Sequence, residues 1–179
     1  MKFCSECGDT VTLTVPDGDQ RERHVCGACH TIHYVNPRIV TGCLPVWEDK
    51  VLLCLRAIHP RKGYWTLPAG YLENGETIAS GAARETREEA NARVDDLTLY
   101  TVFSLPHISQ AYMFFRCRLL DTDFYSGTES LDVRLFGETE IPWDELAFPV
   151  VRDTLKHYFA DRKEDSFPTR YHDLLVSPR

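Results

Sequence analysis

The chain has 179 residues, which suits one medium domain with a small appendage. Its 43% apolar and 11% aromatic residues can bury a sizeable core, and 26% charged residues is ordinary for a soluble globular protein. A net charge of −7 repels a phosphate backbone, so general nucleic-acid binding is disfavoured, and an anionic substrate calls for a metal ion or a local basic cluster.

No run of about 18 apolar residues occurs, so no membrane span is expected. The opening stretch from Met1 to Cys7 carries no apolar signal core. Seven cysteines, four of them in paired CxxC form, point to a reducing, cytoplasmic setting and a metal site rather than a disulfide framework.

In chain order, Cys4-Ser5-Glu6-Cys7 comes first and Cys26-Gly27-Ala28-Cys29 follows after eighteen intervening residues. Between them Val11 to Val15 alternates ahead of Pro16-Asp17-Gly18, the pattern of a β-hairpin. Two CxxC knuckles joined by a hairpin predict a small zinc ribbon over residues 1–35. Thiolates suit Zn²⁺, a borderline-soft tetrahedral cation, and closed four-sulfur sites are structural. So short a segment cannot build an adequate core, and the metal would supply its folding energy. Cys4, Cys7, Cys26 and Cys29 are the expected ligands, with His24, His30 and His33 nearby as substitutes.

A main domain is expected over residues 36–160. Asn36-Pro37-Arg38 punctuates the chain. Strands are predicted over 39–48 and 51–58, with Cys43, Cys54 and Cys117 as buried core thiols. A basic loop with His59, Arg61 and Lys62 follows, then a short strand from Trp65 to Gly70. A helix is predicted over 77–90 and strands over 94–104, 111–120 and 132–136. A second helix is predicted from Ile141-Pro142-Trp143 to about Phe159, with Pro142 in its first turn. Residues 161–179 read as a charged, weakly patterned tail packed on the body or on a partner chain. Helices flanking a sheet make this a mixed α/β or α+β domain.

The chemistry concentrates between Gly70 and Asn91. At about 100° per residue, Glu85, Glu88 and Glu89 share one arc of the helix. Ala79, Ala82, Ala83, Thr86 and Ala90 fill the neighbouring arc, whose small side chains let the helix lie close to a sheet. Like charges spaced this way repel and destabilise an isolated helix. A solvated acidic face is the bland alternative. The clustering of the acids, the extra Glu76 upstream and a glycine at the strand's turn favour hard oxygen ligands for Mg²⁺ or Mn²⁺. Asn91 suits the left-handed helix cap. Arg84 and Arg87 are placed to pair with the glutamates.

These residues resemble the Nudix box: Gly70, Glu76, Arg84, Glu85, Glu88 and Glu89 match it at the right spacing. Thr86, Asn91 and Ala92 depart from its usual aliphatic, glycine and aliphatic. The ribbon followed by His33-Tyr34-Val35-Asn36-Pro37-Arg38 is similar to zinc-ribbon Nudix proteins, and stretches around Pro106, Glu129 and Trp143 resemble the ADP-ribose/FAD pyrophosphatase branch.

The resemblance implies an α/β/α sandwich around a mixed sheet. It implies that the Gly70 carbonyl, Glu85, Glu88 and Glu89 bind Mg²⁺ or Mn²⁺, with Glu76 and Arg84 in support. The cations would bridge a diphosphate and activate water. Glu85 or Glu129 is the expected general base, and Glu129 equally suits bracing a strand. Arg56, Trp65 and Tyr71 are candidate substrate contacts; core packing is the competing role for Trp65. The implied substrate is a small-molecule nucleotide, FAD or ADP-ribose, cleaved to release AMP by a homodimer. NADH and capped RNA are the alternatives. The NADH-cleaving branch's motif after the box is absent from the stretch 103–111. A ligand-sensing nucleic-acid-binding module is a third reading, since Arg21, Arg23 and His24 sit on the ribbon, but Asp17, Asp19 and Glu22 lie among them.

Overall fold

The computed structural model describes residues 1–175, which form two compact units, Met1–Pro37 and Arg38–Arg179 in chain extent. In the first, strands β1 (Val11–Thr14), β2 (Arg23–Cys26) and β3 (Ile32–His33) form an antiparallel sheet. Val11 pairs with Cys26 and Thr14 with Arg23, so the Asp-Gly signal does sit in a hairpin connection. The cysteine knuckles flank this sheet, each closed by backbone bonds: Gly8 N–H to the Cys4 carbonyl at 3.0 Å, and His30 N–H to the Cys26 carbonyl at 3.1 Å.

The second unit is built on a mixed eight-stranded sheet. Its strands are β4 (Arg38–Trp47), β5 (Lys50–Arg56), β6 (Trp65–Thr66), β7 (Ala69–Tyr71), β8 (Val94–Leu105), β9 (Gln110–Leu119), β10 (Ser130–Phe136) and β11 (Arg170–Asp173). The order is β10-β5-β4-β9-β8-β11, with β6 on β5 and β7 on β4. The β4–β9 and β8–β11 pairs are parallel and the others antiparallel.

Two helices cover opposite faces: α1 (Ile78–Ala90) and α2 (Pro149–Glu164). The alternation of side chains along a strand shows this directly. Leu44, Leu53 and Phe114 join Val150, Val151, Leu155, Tyr158 and Phe159 in one core. Their chain neighbours Cys43 and Phe115 pack with Ala82, and Leu52 and Cys54 pack with Ala90. The small-residue arc of α1 is thus buried at Gly81, Ala82, Thr86 and Ala90, and Thr41 Oγ1 donates to the Ile78 carbonyl at 2.9 Å across that close contact. Thr77 caps the helix N-terminus through Ser80 N–H, and Asn91 ends it at φ 50°.

The second helix differs from expectation. Residues 138–145 form two short 3-10 turns, and α2 begins at Pro149. Proline lacks an N–H that the first helical position has no use for, and Pro149 takes that position in place of Pro142. The stretch before it is held extended by Ala147 N–H on the Trp65 carbonyl at 2.8 Å. The helix also runs further, to Glu164, and the weakly patterned segment beyond it contributes β11, an edge strand on β8. Among the described residues, no helix is long and apolar enough to cross a membrane.

Candidate functional site

A cleft of 1510 Å³ opens between the acidic side of α1, the loop before β10 and the ends of β8 and β9. Glu85, Glu88, Glu89 and Glu129 line it, together with Gly70, Arg84, Arg56 and Tyr71. The structure therefore brings nearly all the sequence-selected residues into one space. Two stand outside it: Glu76, which is held by Arg84, and Trp65. Trp65 is 7% exposed, stacks edge-on against Phe136 at 4.8 Å and belongs to the core. Its large ring is better accommodated there than at a wet rim.

The three helix acids sit in different environments. Glu88 is exposed, Glu85 half-buried and Glu89 buried at 7% exposure. Burial pushes the Glu89 carboxyl up to about 8, reinforced by the charge of Glu85; among the described residues its hydrogen bond is from Ala69 N–H at 3.4 Å. Burial also raises Glu85, against the pull of Arg84. A buried carboxylate without an ionic partner is costly, and a divalent cation at this place would offset that cost.

Arg84 organises the rest. Its guanidinium holds Glu76 through two bonds, Nε to Oε2 at 3.0 Å and Nη2 to Oε1 at 2.8 Å. Its Nη1 donates to Glu85 at 2.7 Å and to Glu88 at 3.0 Å, and Nη2 reaches the Tyr71 carbonyl at 3.1 Å. The Arg84 guanidinium holds the Glu76 carboxyl down to about 2. Arg84 thus ties the box loop to the helix and fixes two of the three acids on the cleft side.

Close approach explains two glycines. A Cβ built at Gly70 would fall on the Glu85 carboxylate, so a larger residue there would push that acid away from the β7 backbone. A Cβ at Gly127 would strike the Glu88 carbonyl. Gly127 N–H donates to the Glu89 carbonyl at 2.9 Å and Tyr125 N–H to the Ala90 carbonyl at 3.0 Å. Asn91 Nδ2 adds a bond to the Tyr125 carbonyl at 3.1 Å. The loop carrying Glu129 is therefore stitched to the last turn of α1. Gly127 has no local sequence signal, because what demands it is a tertiary contact.

At the rim, Tyr71 is half exposed, with Arg38 over its ring at 5.4 Å and Gln110 Nε2 on its hydroxyl at 3.0 Å. Arg56 lies over Phe148 at 5.2 Å, with Nε on the Pro60 carbonyl at 3.0 Å. The remaining wall is apolar, from Leu105, Tyr112, Phe114, Val151 and Leu174.

In the first unit, the four cysteine sulfurs lie within 4.8 Å of one another. Cys4 and Cys29 are 3.6 Å apart and Cys7 and Cys26 3.4 Å. A tetrahedron with Zn–S arms of about 2.3 Å has edges of about 3.8 Å, so the donor set fits Zn²⁺. His33 Nε2 lies 3.2 Å from Cys4 Sγ, beside the sulfur cluster rather than in place of one of its members. Among the described residues, this is the one group of three or more metal-donor side chains drawn so close together. Of the helix acids, Glu85 and Glu88 instead bond to Arg84.

Family comparison matches this arrangement. A model described as the NUDIX domain matches residues 36–166, and one described as the Nudix N-terminal zinc ribbon matches residues 2–35. The chain belongs to the Nudix family. A crystal structure of a Nudix hydrolase from Nitrosomonas europaea is 58% identical, with a TM-score of 0.91 over 97% of this chain and 99% of that one. A Vibrio parahaemolyticus protein named NAD-capped RNA hydrolase NudC is 33% identical over 150 residues, 79% of this chain and 53% of that protein. The Vibrio vulnificus protein of the same name is 28% identical over 93% of this chain and 62% of its own length. The chain thus spans about half to three-fifths of these curated Nudix relatives. An ADP-ribose pyrophosphatase from Streptococcus suis, 22% identical with a TM-score of 0.60 over 76% of this chain and 99% of that one, shares the Nudix fold.

Proposed function

We propose that this Nudix protein hydrolyses the pyrophosphate bond of a nucleoside diphosphate joined to a second moiety, FAD or ADP-ribose, releasing AMP. The observation that carries the reading is Glu89, a buried carboxylate with no cationic partner in contact among the described residues, on the floor of a cleft shared with Glu85, Glu88 and Glu129. A Mg²⁺ or Mn²⁺ held by these acids and the Gly70 carbonyl would neutralise the diphosphate and lower the pKa of a bound water.

The chain's own groups then have distinct tasks. Arg84 and Glu76 keep the acids aimed into the cleft. Arg56 reaches the cleft as a positive charge toward the phosphates, and Tyr71 offers a ring face for stacking. Glu85, or Glu129 from its stitched loop, takes the proton from the attacking water. Cys4, Cys7, Cys26 and Cys29 hold a structural Zn²⁺, and the active form is a homodimer in the cytoplasm.

A second reading, cleavage of NAD-type substrates including capped RNA, is favoured by the names of the Vibrio relatives. The charge of −7 weighs against the RNA-borne form. The test is AMP release from FAD, ADP-ribose and NADH, and release of nicotinamide mononucleotide from NAD-capped RNA, each with Mg²⁺ and with Mn²⁺. Turnover of FAD or ADP-ribose well above NADH supports the first reading, and the reverse order supports the second. If none of them is cleaved while the protein retards RNA steeply at low salt, the ribbon is a nucleic-acid reader.

A further inference from the structure

The segment after α2 returns to the sheet and forms a wall of the cleft. Strand β11 pairs in parallel with β8, from Arg170 opposite Thr101 to Asp173 opposite Ser104, and Leu174 N–H continues the ladder to the Ser104 carbonyl at 2.9 Å. Three side-chain anchors hold it. Thr169 Oγ1 donates to the Leu99 carbonyl at 2.8 Å, Arg170 forms a two-bond ion pair with buried Asp161, and the His172 ring is stacked between Phe103 at 5.2 Å and His157 at 4.8 Å. With His172 turned inward, the two-residue period of a strand turns Leu174 inward too. Leu174 packs against the α2-side core and lines the cleft beside Leu105 and Phe114, while Tyr171 faces out at 64% exposure.

The position of this wall decides what it can touch. The acids cluster where β7 meets β4, with Gly70 opposite Thr41. From β4 to β11 the sheet steps across β9 and β8, three strand spacings or about 14 Å. On that spacing a diphosphate held at the acids would fall short of Leu174, and a sugar or ring attached to it would span the gap. Resting on the hydrolase reading above, we infer that Leu174 is a specificity-determining residue, closing the far end of the cleft against the moiety beyond the diphosphate and setting how large that moiety can be.

The test is equilibrium binding of the uncleavable methylene-bridged analogues of ADP-ribose and of FAD with Mg²⁺ present, so that no turnover is needed, to wild type, Leu174→Ala, Leu174→Trp and the outward-facing control Tyr171→Phe. Leu174→Trp should weaken FAD relative to ADP-ribose by about tenfold, the usual consequence of filling an apolar pocket. Leu174→Ala should shift the ratio the other way, and Tyr171→Phe should leave it at the wild-type value. An unchanged ratio in both Leu174 variants, an equal loss for both ligands, or a wild type that binds neither would overturn the inference. Circular dichroism and thermal melting of each variant guard against misfolding, and Leu174→Ala alone decides the matter if Leu174→Trp does not fold. Wild type that binds both analogues yet releases no AMP from ADP-ribose or FAD with metal would sink the hydrolase reading, and the binding ratio would still decide the role of Leu174.

Discussion

Arg84 and Glu76, eight residues apart and on either side of the α1 N-terminus, are joined by two N–H···O bonds of 3.0 and 2.8 Å. The fork geometry of a guanidinium is what allows one side chain to hold Glu76 while also reaching Glu85, Glu88 and a loop carbonyl. Lysine is a point charge and cannot span these partners. Arg84→Lys should keep the fold and lower metal-dependent turnover by about 10- to 100-fold, as loss of ligand-orienting partners does. Steady-state rates with Mg²⁺, alongside circular dichroism, check this; an unchanged rate would remove Arg84 from the positioning role.

Glu88→Gln removes a proposed cation ligand at an exposed position. Little packing is lost, and the weakened exposed pair with Arg84 is offset by reduced repulsion among the acids of α1, so melting should be nearly unchanged. Turnover should drop by more than about 100-fold, beyond what an outer partner contributes. A variant with wild-type rate would show the ligand assignment to be wrong.

Glu89 makes cation binding pH-dependent. Its carboxyl is raised from the usual carboxylate range to about 8. Below that value the folded protein holds a proton there, and a cation must displace it. Between the ordinary carboxylate value and pH 8 the metal-free fold binds more protons than the unfolded chain, so its stability falls as pH rises. Mn²⁺ affinity, followed by electron paramagnetic resonance, should rise about tenfold per pH unit up to pH 8 and then level. A flat profile from pH 6 to 8 would contradict this, and Glu89→Gln should abolish the slope.

In the ribbon, Cys7→Ser should lose zinc by elemental analysis and leave residues 1–35 sensitive to protease, because the metal supplies most of the folding free energy of so small a unit. One zinc per chain in that variant would place the metal elsewhere.

Arg170→Ala should destabilise the second unit by about 3 kcal/mol, since it strands the buried Asp161 carboxylate, whose one other side-chain partner among the described residues is Tyr100 at 2.6 Å. Despite burial, Arg170 and Tyr100 hold the Asp161 carboxyl below its usual range. The contribution is therefore present above the ordinary aspartate value and lost as pH falls through the lowered one. Urea melts at pH 7 and pH 3 should show the difference between wild type and variant shrinking at the acid end.

What the sequence disclosed follows a physical division. The helix at 78–90 was legible because its cap, small-residue arc and acids are all local patterns, and the ribbon because cysteine spacing is a ligand geometry written in one dimension. The shift of the second helix to Pro149 was not legible: two prolines compete for one start, and a backbone bond to the distant Trp65 carbonyl decides between them. Trp65 itself could not be assigned to core or cleft from its neighbours alone. Strand β11 has only four residues, and its pairing depends on Asp161, Phe103 and His157, none of them near it in pattern.

The three bonds that fasten the segment 125–127 to the end of α1 have a dynamic corollary. Two of them satisfy the Glu89 and Ala90 carbonyls that a helix terminus would otherwise offer to water, and the third binds the Tyr125 carbonyl back to the helix cap, so the segment is in effect a prolongation of the helix. Glu129 is consequently coupled in its motion to Glu88 and Glu89. A segment fastened in this way holds Glu129 at a more constant spacing from the helix acids than an independent loop would.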